Sequence, residues 1–598
     1  MNRARDNPDQ PDSCLHPYPA SCCNLPSILD RAVGRTGCGP AALLRPEYQA
    51  ARSPLYRAVW AERVQLGLFD CGPGPEPLPA QARVMDAAWE LVRRHRQAGT
   101  LFDERQKVCG SVLEELGTVG YWGLLVDERF GGTGTPFAVF APFLTRMNTA
   151  DPTVAALASA HGCLGAVNAV QHFGTGEQQE RFLPALARGE RLSAFALTEP
   201  NAGSDLTALR TRACRQGDHL LVSGEKLFVT NAAAGRTLAL VCLLDGRPAV
   251  LIAELPDATD ESVRLTSYGL HALRHAENHG LVFADFRVPA ANLLPSPTGH
   301  ALSIVYHGIN RARAALCATA AGRLRQMLAE MVPWAKFRHT YGRPIGEREL
   351  VRRRLGRLAG LIVACDALVA WCAALLDGGY RAELECIVAK VFAADALREA
   401  AVELLMKTHG GRALLHGHFF GDNVHDFLAP SIYEGESELL GLALFRSLVR
   451  PPRSAVGLPP TDLDSIAPPT DLASELQPNA AQAVDALEAI RRELVELRQT
   501  PSPQLDADRQ CKAAELSARL RQASVVLCTC WFASRQPDAV IRRAAAVISG
   551  DLLRELTGQR PTGQDFQATV DLGTAILDGA FAPIAGLAAR DILLSYEP

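Results

Sequence analysis

At Ser193 the spacing of apolar residues changes, and near Ala301 it changes back, so the chain carries a compact β unit between two helical blocks. Upstream, Val84, Ala87, Ala88, Leu91 and Val92 recur at three- and four-residue steps, as do Val112, Leu113, Leu116 and Val119, and more helix is expected between 141 and 186. Between the switches, residues 220–230, 238–243, 250–253 and 280–289 are short β-rich runs bounded by Gly, Asp, Asn and Pro. Beyond them, helical spacing over 314–337, 350–376 and 381–407, with a last helix after Ser437, suits a four-helix bundle. The expected fold is mainly α with a central β domain: a helical N-terminal domain (80–192), a β-barrel-like middle domain (193–300) and a helical bundle (301–450).

The ends read differently. Residues 1–79 are rich in Pro, Gly and Cys and predict a weakly ordered leader with one short helix near 56–66. A Pro- and Asp-rich linker (451–474) leads to an acidic helical C-terminal domain (475–598) with amphipathic helices at 484–497, 512–534 and 539–556. From 451 onward, 14 Lys plus Arg face 19 Asp plus Glu, and the whole chain carries −4, so there is no electrostatic footprint for nucleic acid and no nucleic-acid partner is expected. The long apolar stretch at 358–376 is interrupted by Asp366 and reads as a core helix rather than a membrane span. With no secretory apolar core, and with Asp6 and Asp9 where a transit peptide would lack acids, a cytoplasmic protein is expected.

Most of the 16 cysteines sit singly at apolar positions, among them Cys317, Cys365, Cys372, Cys386 and Cys528, as small buried thiols would. Cys14, His16, Cys22, Cys23 and Cys38 lack the spacing of a zinc clip, so no metal site is expected.

Two stretches carry chemistry. Ile432-Tyr433-Glu434-Gly435-Glu436-Ser437-Glu438 sets a carboxylate between an aromatic ring and a glycine just ahead of an apolar helix. Glu434 there is either a helix-start carboxylate serving the helix dipole or a base. The stretch 196–205, with Thr198, Glu199, Gly203, Ser204 and Asp205, is either a simple turn with Asp205 as a cap or a loop whose N–H groups and hydroxyls face a phosphate or an electron-rich plane.

Thr198-Glu199-Pro200-Asn201-Ala202-Gly203-Ser204-Asp205 resembles the first signature of the acyl-CoA dehydrogenase family. The similarity runs from about 80 to 449, through His172-Phe173-Gly174, the stretches 224–231 and 335–345, Gly410-Gly411 and Tyr433-Glu434-Gly435. It implies FAD between the β unit and the bundle, with Thr198 and Thr230 on the isoalloxazine, Phe228 stacked where Trp is usual, and Ser204 at the cofactor or the thioester's pantetheine. It also implies that Arg338 and Thr340, with the adjoining Tyr341, hold the flavin pyrophosphate across a subunit contact, and that Lys407, Gly410 and Gly411 face the cofactor.

By the same resemblance Glu434 is the base that removes the α proton of an acyl-CoA thioester, with Arg313, Tyr433, Gly435 and Ser204 lining the substrate, while hydride leaves the β carbon for the flavin. A homodimer or homotetramer reoxidised by an electron-transfer flavoprotein is implied. The chain departs from the family pattern at Lys407, at Glu436 and at His425-Asp426, and residues 269–281 also resemble acyl-CoA oxidases. The alternatives are therefore an oxidase using dioxygen and a same-fold flavoprotein that is non-catalytic or DNA-associated. The helical extension resembles that of the very-long-chain branch. Glu436 would add negative charge beside Glu434 and raise its pKa.

Overall fold

A computed structural model describes residues 53–61, 63–258, 260–296, 301–449, 472–498 and 509–587. Helices α1 (Pro54–Trp60), α2 (Pro79–Ala98), α3 (Gly110–Thr118), α4 (Phe137–Ala150), α5 (Pro152–Ser159), α6 (Ala166–Phe173) and α7 (Gly176–Arg188) precede the sheet. Their limits follow from local chemistry. Asp151 caps α5 and Pro152 opens it, while Thr175 and Gln178 form a reciprocal box at the start of α7, which Gly189 ends at φ 73°.

The middle domain is one curled sheet of seven strands: β1 (Ser193–Ala196), β2 (Arg212–Gln216), β3 (His219–Thr230), β4 (Thr237–Leu244), β5 (Arg247–Glu254), β6 (Val263–Ser267) and β7 (Asn278–Pro289). The order β1-β4-β2-β3-β7-β6 is completed by β5 on β4. β4 is almost wholly buried, which accounts for its unbroken apolar run, and Asp245-Gly246 at φ 51° and 72° make its tight turn into β5. β2 and β6 did not register as strands in the sequence because they lie largely exposed and carry Arg, Gln, Thr and Ser.

The bundle is built from α8 (Leu302–Phe337), α9 (Glu349–Asp377), α10 (Glu383–Glu399), α11 (Phe419–Leu428) and α12 (Ser437–Val449), with α10 running on through a π turn at Ala400–Met406. Two helical stretches, 152–173 and 349–377, are long and apolar enough to cross a membrane, and both are mostly buried within the protein. The second is α9, the central core helix, and its Asp366 is satisfied by Arg325 at 2.7 Å.

Two expectations need correction. Residues 53–78 are not a weakly ordered leader: Ser53 and the Leu55 N–H both donate to buried Glu385, Trp60 donates to the Leu448 carbonyl at 3.2 Å, and Trp371 donates to that of Leu68 at 3.0 Å. The short helix expected near 56–66 is α1, at 54–60, and it buries Leu55, Tyr56, Ala58 and Val59 in the same core as Leu68 and Phe69. Residues 1–52, with the N-terminal Cys group, lie outside the described residues.

Nor is the C-terminal segment a separate module. Helices α13 (Gln477–Arg498), α14 (Gln510–Ser534), α15 (Ala539–Thr557) and α16 (Gly563–Leu577) share one continuous core with the bundle. α16 lies so close to α9 that a Cβ on Gly573 would stand 2.0 Å from the Arg352 carbonyl oxygen, and one on Gly356 would stand 2.4 Å from that of Thr569. Most of the expected linker (450–471) lies outside the described residues.

Candidate active site

The loop between α11 and α12 turns sharply, with Glu434 at φ 57° and Gly435 at φ 108°, and a left-handed glutamate costs about 1 kcal/mol or more. The helix-cap alternative for Glu434 is settled by its neighbour. Glu436 caps α12, accepting from the Glu438 N–H at 3.0 Å and the Leu439 N–H at 2.9 Å. Glu434 is thereby free of that duty, and its Oε2 is buried without a hydrogen-bond partner among the described residues.

Burial pushes the Glu434 carboxyl up to about 7, opposed by the charges of Lys390 and then Arg313. The Glu436 carboxylate, expected to raise Glu434, is instead engaged by the helix N-terminus. Arg313 donates Nε to the Glu434 carbonyl at 3.1 Å, and Lys390 donates to the Gly435 carbonyl. The Glu434 N–H has no acceptor among the described residues. Lys390 was missed in the sequence, although a lone Lys in the apolar run Ile387-Val388-Ala389-Lys390-Val391-Phe392 is a legible signal.

A second group gathers on the sheet. Glu199 and Lys226, both buried, pair at 2.6 Å; Lys226 also donates to the Leu197 carbonyl at 2.9 Å. Glu199 accepts from the Arg210 N–H at 2.6 Å and the Thr211 N–H at 3.1 Å. Burial acts to raise the Glu199 carboxyl, but Lys226 together with the Arg210 and Thr211 donors holds the group below its usual range. This pair pins the Thr198–Ser204 loop to β3, and Asp205 caps the turn that follows, as one sequence reading expected.

Thr198 is half-buried and Ser204 exposed. A bulge in β3 between Lys226 and Val229 puts Phe228 at φ 54°, with its ring 57% exposed and 5.3 Å from that of Tyr268. Thr230 donates to Asn278 Oδ1 at 2.8 Å, and Asn278 donates to the Leu273 carbonyl at 2.9 Å. The Leu273 N–H then donates to Asp426 of α11 at 2.7 Å, and Asp426 faces Arg323 at 3.6 Å beside Tyr433. The sheet group and the Glu434 loop are thus joined.

The third group stands apart. Arg338, Thr340 and Tyr341 belong to a hairpin, β8 (His339–Thr340) and β9 (Arg343–Pro344), in which Tyr341 is 97% exposed and Arg338 has no side-chain partner among the described residues. It neighbours Gly410 and Gly411 through Trp334, which donates to the Thr408 carbonyl at 3.2 Å. A Cβ on either glycine would meet nothing within 4 Å, so that surface is open. Lys407 is engaged by Glu403 one turn earlier. The 25 residues of α8 between Arg313 and Arg338 set this group about 37 Å from the Glu434 loop. One chain therefore does not bring all the expected residues together.

These donors suit a flavin dinucleotide: hydroxyls and an exposed ring on one sheet edge, and elsewhere an open glycine pair with a guanidinium that has no partner. A cavity of about 60 Å³ beside Tyr433 is lined by Thr153, Ala156, Leu316, Thr319 and Arg323. A concavity of about 870 Å³ between α7 and β5 contains none of the expected site residues. Among the described residues no cluster of three His, Cys, Asp or Glu side chains could hold a metal.

Models of the acyl-CoA dehydrogenase N-terminal, middle and C-terminal domains match residues 79–190, 194–285 and 302–449. An acyl-CoA dehydrogenase of Bacillus subtilis is 29% identical over 358 residues, covering 59% of this chain and 93% of that protein. The structure of an acyl-CoA dehydrogenase from Bacillus anthracis complexed with FAD aligns at TM-score 0.69 and 18% identity, covering 91% of this chain and 99% of that one. Butyryl-CoA dehydrogenase from Megasphaera elsdenii aligns at TM-score 0.58 and 25% identity, over 63% of this chain and 100% of that one.

Proposed function

Since the chain belongs to the acyl-CoA dehydrogenase family of FAD-dependent oxidoreductases acting on CH–CH bonds, we propose that it converts an acyl-CoA thioester to the trans-2-enoyl-CoA with Glu434 as base. The observation that carries the reading is the buried, unpartnered Oε2 of Glu434 on a carboxyl near 7, aimed by a loop that two cations hold in a left-handed turn. A carboxyl raised in this way gains its active, ionised form as the pH rises through neutrality.

The α C–H bond breaks toward Glu434, whose carboxylate takes the proton. The Glu434 N–H, which has no acceptor among the described residues, is available to the thioester carbonyl, whose negative charge grows as that proton leaves. FAD, bound between sheet and bundle, supplies the acceptor for the hydride that leaves the β carbon. Thr198, Thr230, Phe228 and Ser204 would hold it from the sheet, with Tyr433, Gly435 and Arg313 toward the thioester. Arg338, Thr340 and Tyr341 of a second copy, with Lys407, Gly410 and Gly411, would hold its phosphates and adenosine, because the length of α8 puts them beyond reach of their own chain's base. A homodimer or homotetramer in the cytoplasm, serving fatty-acid β-oxidation and reoxidised by an electron-transfer flavoprotein, completes the reading.

The test is anaerobic bleaching of the flavin by a panel of acyl-CoA thioesters, with Glu434→Gln beside the parent. Both should hold yellow flavin and only the parent should bleach; equal bleaching removes Glu434 from the reaction. Admission of air after bleaching separates the acceptors, since fast reoxidation with peroxide would make the protein an oxidase.

A further inference from the structure

Lys390 is 0% exposed, in the middle of α10, and its ammonium donates to the carbonyl of Gly435. Opposite it on α8, Arg313 is 5% exposed, donates to the Glu434 carbonyl and is braced through Asn310, which donates to the Arg381 carbonyl at 3.0 Å. Two buried cations thus grip successive carbonyls of the one loop in which Glu434 and Gly435 both take positive φ. Neither has a carboxylate within salt-bridge distance among the described residues. A buried ammonium without an ion pair is costly, and an apolar side chain of that length would fill the helix face at lower free energy. The charge Lys390 faces most strongly is that of Glu434.

We propose that Lys390 is a positioning residue for proton abstraction: it fixes the Gly435 carbonyl, and with it the backbone that aims Glu434, while its positive charge favours the ionised form of that base. The proposal rests on Glu434 being the base.

The charged surroundings are few. Arg313 on α8, Glu436 on the loop and Asp395 on α10 also act on Lys390. Glu383 acts on Arg313, while Tyr433 and Cys163 lie close enough to feel Glu434. Burial brings Lys390 down to about 8, just above the value of about 7 for Glu434. Glu434 loses its charge as the pH falls, and Lys390 loses its charge as the pH rises.

The deciding experiment uses the full-length, FAD-loaded protein and the acyl-CoA, from butyryl- to palmitoyl-CoA, that bleaches the parent fastest. Anaerobic flavin reduction is followed from pH 6 to 9 in the parent, Lys390→Gln, Lys390→Met, Lys390→Arg and Glu434→Gln. Gln retains a donor for the Gly435 carbonyl without the charge. Its acid limb should move up by about one pH unit, giving roughly tenfold slower reduction at pH 6 and near-parent rates at pH 9, with half-saturation unchanged. Met, lacking the donor as well, should also lower the rate at pH 9, and Arg should return the limb toward the parent. An unshifted limb in Lys390→Gln, while Glu434→Gln abolishes bleaching, overturns the proposal and leaves the base intact. Bleaching by Glu434→Gln overturns both. Should Lys390→Met fail to fold, the Gln and Arg variants decide.

Discussion

Glu199 and Lys226 are unequal partners, and their inequality predicts an asymmetric response to mutation. Removing one member of a buried ion pair costs about 3–5 kcal/mol because the other is left without compensation. After Lys226→Met, the Glu199 carboxylate keeps two backbone donors, the N–H groups of Arg210 and Thr211. After Glu199→Ala, the fully buried ammonium keeps only the Leu197 carbonyl. Lys226→Met should therefore fall at the low end of that range and Glu199→Ala at the high end. Because the pair fastens the Thr198–Ser204 loop to β3, the loss should appear as weaker flavin retention. A cost of about 5 kcal/mol corresponds to several thousandfold in affinity for Glu199→Ala, against somewhat over a hundredfold for about 3 kcal/mol in Lys226→Met. Replacing both by Met should recover part of the loss, since no charge is then stranded. Flavin fluorescence released on serial dilution measures each constant. Equal losses in the two single variants, or a double variant worse than Glu199→Ala, would refute the reasoning.

Four other outcomes are expected. Flavin reduction in the parent should rise with pH through about 7, because the raised Glu434 carboxyl must lose its proton to act; a flat profile from pH 6 to 9 would exclude it as the titrating base. Glu436→Ala should destabilise by about 1 kcal/mol through loss of the α12 cap, read in urea melts, and leave that pH profile in place. Gly573→Val should cost about 1–3 kcal/mol, measured by thermal unfolding, since the added side chain would drive into the Arg352 carbonyl; parent stability would show that α16 is not fastened to α9. Arg338→Ala and Glu434→Gln proteins, each impaired alone, should regain activity when unfolded and refolded together if a site draws on two copies, and failure to complement would place both residues in one chain's site.

The helical blocks and the long strands were legible because each element buries one face and so repeats its apolar residues at its own period. The exposed strands β2 and β6 were not, since neither has a buried stripe, and of the segment from Ser53 to Phe69 only the short helix was, because one two-turn element is too brief to announce that its chain is packed. The linker composition suggested a detached C-terminal domain, but glycines at close helix crossings, Gly356 and Gly573, tie that segment to α9, and such contacts have no local signature. At the site, the aromatic and glycine neighbours of Glu434 left it either a helix-start carboxylate or a base, and the family resemblance upstream decided for the base. That Glu436 rather than Glu434 serves α12 required coordinates, as two glutamates near a helix start are indistinguishable by type. Lys390 was overlooked because a charge in an apolar helix is read as an interruption until the carbonyl it meets is seen.

Asp426 has a mechanical consequence. Through Leu273, held at φ 54°, and Asn278 it couples α11 to Thr230 on the sheet, while Arg323 steadies its other oxygen from α8. The gap between sheet and bundle is therefore spanned by a rigid cross-brace rather than a hinge. A slot whose width is set in this way before anything enters it gives a planar guest no domain closure to drive. Its admission is governed by fit, and binding free energy remains available for holding reacting atoms in register.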